Sequence, residues 1–296
     1  MAGFPAELEA YIAPGCDRLA FLQAYLAARG VRTSVVPVNG RRHLYVNFPA
    51  AAYDPTFKIK TVITHYDRVP GSPGANDNSV CDLAVAEFAV RLGHVSVRGG
   101  RHNVRIFFTD GEELGAGGVS EQGAFGLAER FRALGITHDD VYVFDSCGRG
   151  TVPVLARAGV DANVRGAFKK QFASLYERTQ NLLRDVSPQR WMSLPVPYSD
   201  NAGFLACGIP AVAITFLPAD EASDYARALL HDKQLEKAVM HGGGADDPRH
   251  AQYIEKMPRT WRLFHTEHDN LSSLTAGSWD LLARILDTLG ATQFLA

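Results

Sequence analysis

The sequence predicts an α/β protein with a mostly parallel, mixed central sheet and helices on both faces. Four apolar runs of strand length are rich in Val, Ile and Phe and have little internal polarity, as expected of strands that are buried on both sides. They are FKIKTVITHYD, HNVRIFFTDGEE, DDVYVFDSCG and IPAVAITFLP. Helical patterns such as SVCDLAVAEFAVRL and GAFGLAERFRALG separate the runs. Strands that alternate with helices in this way form parallel sheets.

The N-terminal part of the chain adds two further elements. The segment MAGFPAELEAYIAPGCDRLAFLQAYLAARG predicts an amphipathic helix. Behind it, RTSVVPV and RHLYVNF are separated by NGRR. Because Asn-Gly suits the tight turn between antiparallel strands, this stretch predicts a β-hairpin.

Two helical stretches interrupt the alternation of strands and helices, at about 165–190 and 218–258. Apolar stripes in these stretches are typical of helices that pack on the body of a domain. The sequence therefore predicts a single domain, 1–296, with two helical inserts. The second insert directly precedes His265, and it is expected to overhang any site that contains this histidine.

Composition excludes several classes of partner and location. The 30 basic and 32 acidic residues give a formal charge of -2 without a long run of one sign, so neither nucleic acid nor a membrane surface is expected as a partner. The N-terminus lacks the pattern of an export signal, and no apolar run approaches the roughly 20 residues of a membrane span. Four scattered cysteines without a CxxC pair argue against a thiolate zinc site and favour a cytoplasmic location.

Acidic and histidine side chains collect at the ends of the predicted strands. In parallel α/β sheets the carboxyl ends of the strands meet at one edge, where ligands bind. A lone aspartate there is usually a turn former, but a dense group of carboxylates is costly to bury unless a cation neutralises it. The group comprises His65, Asp67, Asp77, Glu112, Glu113, Asp145, Asp200, His265 and Asp269.

The residue types in this group indicate a catalytic metal site. Histidine and carboxylate ligands without cysteine suit zinc, or less specifically manganese or cobalt. Glu112 and Glu113 are adjacent, so one can bind metal while the other accepts a proton from an attacking water. Asp67 lies two positions from His65 on the same strand face, where it can orient the second ring nitrogen of the histidine.

Six motifs, in this order over about residues 60–280, resemble the co-catalytic dizinc exopeptidases. They are HYD, GANDN, DGEELG, FDSCG, SDNAGFLACGIPA and FHTEHDNLSSL. That family includes bacterial leucyl aminopeptidases, glutamate carboxypeptidase and glutaminyl cyclases. The resemblance implies a zinc-dependent exopeptidase fold.

The resemblance also implies a role for each matched residue. Asp77 would bridge two zinc ions, and the peptide bond between Asp77 and Asn78 would be cis. One ion would be completed by His65 and Asp145, and the other by Glu113 and His265. Glu112 would be the general base.

The activity implied by the resemblance is that of an aminopeptidase. It would hydrolyse N-terminal residues of peptides, or a small amino-acyl substrate, by a metal-bridged water. Apart from the resemblance, Tyr198 is a candidate for holding the substrate carbonyl oxygen, although a strand-flanking tyrosine is more often a packing residue. Arg149, four residues after Asp145, is a candidate for meeting a substrate carboxylate, although a solvated surface arginine is the more common case. The chain departs from the family where Asn201 replaces a usual histidine and where Glu267 replaces a frequent proline. Neither position corresponds to a metal ligand of the family, so we expect these replacements to modify the activity rather than to abolish it.

Two alternatives stay open. A glutaminyl cyclase would use nearly the same residues around a single zinc, but such cyclases tend to carry tryptophan before the last ligand histidine, where this chain has Phe264. A non-catalytic interaction protein could share the fold. That alternative is disfavoured because all five ligand positions and Glu112 are retained.

Overall fold

The structure, a computed structural model, describes residues 3–113, 118–157, 166–240 and 253–296. Within these ranges an eight-stranded sheet lies among ten α-helices. The helices are α1 Glu7–Ile12, α2 Arg18–Ala27, α3 Val80–Val97, α4 Gly123–Ala133, α5 Ala167–Val186, α6 Asn201–Ala206, α7 Ala219–His231, α8 Lys233–Met240, α9 Arg259–Arg262 and α10 Ser278–Ala291. The strands are β1 Thr33–Val38, β2 Arg41–Val46, β3 Lys60–His65, β4 Val104–Thr109, β5 Asp140–Phe144, β6 Val152–Ala156, β7 Met192–Leu194 and β8 Ala211–Leu217.

The sheet has the order β1-β2-β4-β3-β5-β8-β6-β7. Its centre, β4-β3-β5-β8, is parallel, and these are the four strands that the apolar runs predicted. Antiparallel pairing occurs towards the edges, where β2 joins β4 and β6 joins β8. The structure thus confirms a mostly parallel, mixed sheet, and it places the carboxyl ends of β3, β4 and β5 side by side.

The predicted hairpin is present as β1 and β2, with Val38 paired to Arg41. Asn39 and Gly40 connect the strands with φ of 49° and 79°. Positive φ at both positions is what a tight primed turn requires, which explains the Asn-Gly pair.

Helices cover both faces of the sheet, as predicted. On one face α1, α2, α3, α5 and α10 pack on strand residues such as Val62, Ile106 and Tyr142. On the other face α4, α6, α7, α8 and α9 pack on residues such as Ile63 and Val143. Neighbouring strand residues belong to opposite cores because side chains alternate along a strand.

Three elements differ from expectation. The single N-terminal helix is two helices, since the chain turns at Pro14 and Gly15 and restarts where the Asp17 side chain accepts the amide N–H of Ala20. Strands β6 and β7 were not predicted. The first contains Pro153 and the second has three residues, so both depend on pairing with neighbours rather than on a strong local pattern.

Helices occur in both predicted inserts. Helix α5 lies within the insert at 165–190, and α7 and α8 lie within the insert at 218–258. Residues 165 and 241–252 of these inserts lie outside the described residues. None of the described helices has the length and apolar character needed to cross a membrane. The division of the chain into one domain stays a prediction.

Candidate active site

The strand ends bring the predicted residues to one edge of the sheet. His65 is the last residue of β3, and Asp145 directly follows β5. Glu112 and Glu113 follow β4 after a turn at Gly111. His265 comes from the segment after α9, on the far side of the same cleft. The parallel register of β3, β4 and β5 is therefore what assembles the site.

Asp77 lies between the two histidines. Its Oδ1 is 3.2 Å from Nε2 of His65, and its Oδ2 is 3.5 Å from Nε2 of His265. The two oxygens of one carboxylate thus face different histidines. This is the arrangement of a carboxylate that bridges two metal ions.

The remaining two ligand candidates complete one group on each side of Asp77. Asp145 Oδ1 lies 3.8 Å from His65 Nε2, and Glu113 Oε2 lies 2.7 Å from His265 Nε2. In each group the three ligand atoms lie within 4.8 Å of one another. Ligand atoms on a tetrahedral zinc ion are roughly 3.3 Å apart, given zinc–ligand bonds of about 2 Å. The five residues therefore form two three-ligand groups that share Asp77.

His65 provides an independent indication that this donor set fits zinc. Its side chain is 1% exposed, and neither ring nitrogen has a hydrogen-bond partner in the part of the chain that the structure describes. Asp77 is near enough in distance, but the angles are not those of a hydrogen bond. A buried nitrogen without a partner is destabilising, and a bound cation among these carboxylates would satisfy it. Imidazole and carboxylate donors with no thiolate are the set typical of catalytic zinc.

The electrostatics of the cleft point the same way. Burial and the nearby Asp77 charge raise the pKa of Glu113 to about 7. Burial raises the pKa of Glu112 well above its ordinary value. The hydrogen bond with Glu113 raises the pKa of His265 to about 9. These shifts reflect negative charges crowded together out of water, which a bound cation would relieve.

The two asparagines of GANDN connect Asp77 to the loop that carries Asp145. Asn78 accepts the amide N–H of Ser146 through Oδ1 at 3.1 Å, and it donates to the Phe144 carbonyl through Nδ2 at 3.0 Å. Asn76 Oδ1 accepts the amide N–H of Gly148 at 2.7 Å. The peptide bond between Asp77 and Asn78 is cis, as the resemblance implied.

Asp269 connects Asp77 to the segment of the last histidine. Its two carboxylate oxygens accept the amide N–H groups of Asn76 and Asp77 at 2.8 and 3.0 Å. The side chain is almost fully buried. His265, four residues earlier, has φ of 61°, in the left-handed region that residues other than glycine seldom adopt. The segment 265–269 is thus held firmly against the bridging aspartate.

Asp67 lies where it was expected, and it has a second set of contacts. Its Oδ1 is 3.7 Å from Nδ1 of His65, beyond hydrogen-bond distance. Its oxygens accept the amide N–H groups of Glu112 at 3.1 Å and Glu113 at 3.0 Å. Asp67 therefore fixes the backbone of the glutamate pair, and its role in orienting His65 stays a prediction.

Glu112 differs from the ligand candidates in its partners. It forms no ion pair within 4.0 Å with either histidine among the described residues, although a carboxylate oxygen lies within 4.8 Å of ligand atoms of His65 and Glu113. Its Oε1 accepts a hydrogen bond from Nε2 of Gln122 at 3.1 Å. Glu112 thus lies beside the ligand groups, in a position suited to a base.

A cavity of about 610 Å³ opens onto these residues. Its charged and ionisable lining residues are Asp77, Glu112, Glu113, Asp145 and His265. Its apolar lining residues include Val196, Pro197, Val239, Trp261 and Phe264. Tyr198, a predicted carbonyl-binding candidate, also lines the cavity and is 39% exposed. Val239 belongs to α8, so the second insert contributes to the wall.

Arg149 does not occupy the position expected of a carboxylate receptor. Its guanidinium donates to Thr260 Oγ1, to the Ser273 carbonyl and to Glu221 Oε1. Glu221 in turn accepts the amide N–H of Thr260. Arg149 is therefore neither the carboxylate receptor nor the solvated surface arginine that the sequence suggested, because its donors join α7 and α9 to the chain before α10.

Sequence reasoning did not single out Asn76, Asn78 or Gln122. The position of the two asparagines beside a metal-ligand candidate was an available signal, but both residue types are also ordinary turn formers. Gln122 had no local signal, because its contact with Glu112 depends on how the chain returns to α4.

Comparison with known proteins assigns the fold and the family. The family model described as Peptidase family M28 matches residues 53–291. A curated relative, the "Probable lipoprotein aminopeptidase LpqL" of Mycobacterium tuberculosis, is 28% identical over 226 residues. That match covers 72% of this chain, and the chain spans only 40% of the relative's length.

Solved structures share the fold at low sequence identity. The LapA aminopeptidase of Legionella pneumophila matches with a TM-score of 0.64 at 14% identity, over 96% of this chain and 69% of that one. The zinc aminopeptidase BSAP of Bacillus subtilis matches with a TM-score of 0.52 at 15% identity, over 84% and 49%. Porphyromonas gingivalis glutaminyl cyclase matches with a TM-score of 0.55 at 16% identity, over 97% of both chains.

Proposed function

The chain belongs to peptidase family M28, and from that premise we propose that it is a zinc-dependent aminopeptidase that removes N-terminal residues from peptides. The observation that carries the proposal is the position of Asp77. Its two oxygens face His65 and His265 separately, at 3.2 and 3.5 Å. A carboxylate so placed supports two metal ions, which suit hydrolysis of an unactivated amide bond.

The residues of this chain have distinct roles in the proposed reaction. Asp77, His65 and Asp145 would hold one zinc ion, and Asp77, Glu113 and His265 the other. When bound, zinc supplies Lewis acidity towards the scissile carbonyl and the attacking water. Glu112 accepts the proton of that water and returns it to the leaving amine.

The charge of the cavity favours recognition of the substrate N-terminus. Among the described residues that line it there is no lysine or arginine, and Arg149 is committed elsewhere. A substrate carboxylate would therefore meet no basic side chain among the described lining residues. Glu112, the lining carboxylate that is not a ligand candidate, would attract an ammonium group, which supports an aminopeptidase rather than a carboxypeptidase.

The apolar walls support a preference for apolar first residues. Val196, Val239, Trp261 and Phe264 line the same cavity as the carboxylates. A first side chain directed there would lose contact with water and gain contact with these walls. A charged side chain would find no partner among them. Leucine or phenylalanine is therefore expected to be preferred over aspartate or lysine.

A glutaminyl cyclase is the second candidate. It is favoured by the match with the Porphyromonas gingivalis cyclase, which extends over 97% of both chains, although this likeness concerns the fold. Phe264 stands where cyclases tend to have tryptophan. A cyclase would release ammonia from N-terminal glutamine and would need only one zinc.

Mass spectrometry of a peptide mixture tests the proposal. The zinc-loaded protein is incubated with peptides that begin with leucine, glutamine or aspartate, each with a free and with an acetylated N-terminus. We expect stepwise shortening of the free peptides only, fastest from leucine. Loss of ammonia from glutamine peptides alone would establish the cyclase instead. No change in any peptide would contradict both activities.

The cytoplasmic location remains a proposal, based on the composition and the four scattered cysteines. The relative in Mycobacterium tuberculosis is described as a lipoprotein. Fractionation of the native cells with an antibody against this chain would decide between a soluble and a membrane fraction.

A further inference from the structure

The hydrogen bond between Gln122 and Glu112 is a feature that the proposed reaction does not yet use. Gln122 directly precedes α4 and is 8% exposed. Its Nε2 donates to Oε1 of Glu112 over 3.1 Å, and the residue lines the same cavity as the ligand candidates. A glutamine side chain therefore contacts the group that we propose as the base.

The chemistry of the pair fixes the orientation of the amide. A general base must be ionised before it takes up a proton, and an ionised carboxylate only accepts hydrogen bonds, so in that state the NH₂ end of Gln122 must face Glu112. The other end, Oε1, is buried and has no hydrogen-bond partner among the described residues. Among these residues, the hydrogen bond to Glu112 is therefore the polar contact that orients the side chain.

Among the described residues, Glu112 has different partners from Asp77, Asp67 and Asp269. Both oxygens of Asp77 face histidines, and both oxygens of Asp67 and of Asp269 accept backbone N–H groups. Glu112 instead accepts from one neutral amide at Oε1. Such a donor fixes one oxygen without adding charge, and it leaves Oε2 available for a proton.

The backbone around Gln122 makes this contact precise. The amide N–H of Gly123 donates to the Gly111 carbonyl at 3.0 Å, beside Glu112. A Cβ on residue 123 would lie 1.8 Å from the Asp110 carbonyl oxygen, so only glycine permits this approach. The start of α4 is therefore in close contact with the turn that carries Glu112, and this contact fixes the backbone of Gln122 beside that turn.

We propose that Gln122 is a positioning residue that orients the general base, by holding Oε1 of Glu112 so that Oε2 faces the reacting water. The inference rests on the proposed function, because it requires Glu112 to act as the base. Gln122 itself touches neither substrate nor metal in this role. Its removal should slow the chemical step while substrate binding and zinc binding persist.

Gln122→Met tests the inference, because methionine keeps the approximate shape and removes the donor. We expect kcat to fall about tenfold or more, the scale found for partners that orient catalytic groups. KM should stay within about twofold, and zinc content and Tm should match those of the control. The matched control is Gln171→Met, since Gln171 lies on α5, is not in the cleft and contacts His138.

Two results would overturn the inference. One is a kcat for Gln122→Met within twofold of wild type while Glu112→Gln is inactive, which would leave the proposed function intact. The other is a fall in kcat that is accompanied by lost zinc or by a lower Tm than the control, which would indicate a structural role. If the Met variant does not fold, Gln122→Asn, which withdraws the donor by one carbon, is judged by the same criteria. Full activity of Glu112→Gln would instead refute the proposed base.

Discussion

At the scale of single residues, the adjacent glutamates Glu112 and Glu113 differ in the groups that they contact. Glu113 contacts His265 at 2.7 Å, whereas Glu112 contacts the amide of Gln122 at 3.1 Å. These contacts support the proposed roles of Glu113 as a metal ligand and of Glu112 as the base. Asp67 supports both, because its oxygens accept their two amide N–H groups.

Glu112→Gln should separate binding from catalysis. The variant keeps the size of the side chain but cannot accept a proton, so kcat should fall by at least about 100-fold. Zinc content should not change, because Glu112 is not one of the five ligand candidates. Turnover and metal analysis on the same sample provide the check. Glu129→Gln, an exposed site on α4, should behave as wild type, and a Glu112→Gln variant as active as this control would refute the role.

The residue types of the site could be read from the sequence, but their contacts could not. The resemblance named the five ligand candidates, which the structure brings together. It also implied the cis bond after Asp77, which the structure contains. The interactions of Asn76, Asn78 and Gln122 join positions that are far apart in the chain or lie across a turn. Such contacts are set by the folded path of the backbone, which no local pattern encodes. Arg149 shows the converse, since its proximity to Asp145 in sequence suggested a role that its contacts exclude.

At the scale of elements, the site is built by loops that are tied to one another. The turn at 75–79 is tied to the loop after β5 by its asparagines. It is tied to the segment 265–269 by Asp269. The two proposed zinc positions are therefore supported by the same set of hydrogen bonds. Removing one of these hydrogen bonds should weaken zinc binding even though no ligand candidate is changed.

Asp269→Asn should weaken zinc binding. One carboxylate oxygen becomes an NH₂ group, which would face the amide N–H of either Asn76 or Asp77 instead of accepting it. We expect zinc affinity to fall by roughly 10- to 100-fold, the range typical of groups that orient ligands. Competition with a chromophoric chelator measures it. Asp280→Asn, at an exposed position of α10, is the control. Equal zinc affinities in the two variants would show that the hydrogen bonds of Asp269 do not contribute to zinc binding.

Elements with a strong local sequence pattern were predicted correctly, and elements without one were not. The four central strands and the Asn-Gly hairpin have continuous apolar runs or a specific turn, and both were predicted. Strands β6 and β7 are short and lie beyond β8, where pairing decides their structure. The N-terminal helix was expected to be continuous although Pro14 and Gly15 interrupt it.

At the scale of the whole molecule, the sheet separates two cores, and the cleft lies at one edge. The helices of the second insert, α7 and α8, belong to the core on the side of α4, whereas α5 of the first insert belongs to the other core. Within it, the Tyr225 ring packs edge-on against Trp261, with centroids 5.0 Å apart, and its hydroxyl donates to the Pro195 carbonyl at 3.0 Å. Helix α7 thus supports two walls of the cavity. The prediction that the second insert would overhang the site agrees with this packing.

His102 should make stability depend on pH independently of the metal centre. Burial and the nearby Lys60 charge lower the pKa of His102 to about 4, against about 6.5 in an unfolded chain. Above pH 6.5 the ring is neutral in both states. As the pH falls from 6.5 to 4, the unfolded chain takes up the proton first, so the free energy of unfolding decreases by up to about 3 kcal/mol.

His102→Gln should remove this part of the pH dependence. Denaturant unfolding at several values between pH 6.5 and 4 should give a flatter curve than wild type. His94→Gln, at an exposed position of α3, should keep the wild-type slope. A His102→Gln curve parallel to that of wild type would show that His102 titrates normally in the folded protein.

The number of zinc ions bound per chain is the sharpest test of the proposed metal centre, because the proposed bridging role of Asp77 requires two. The measurement is metal analysis of the zinc-saturated protein after removal of free metal. We expect two zinc ions per chain both in wild type and in Glu112→Gln. A single ion would contradict the bridge and favour the cyclase, and a protein that retained none would contradict a metal centre at this edge of the sheet.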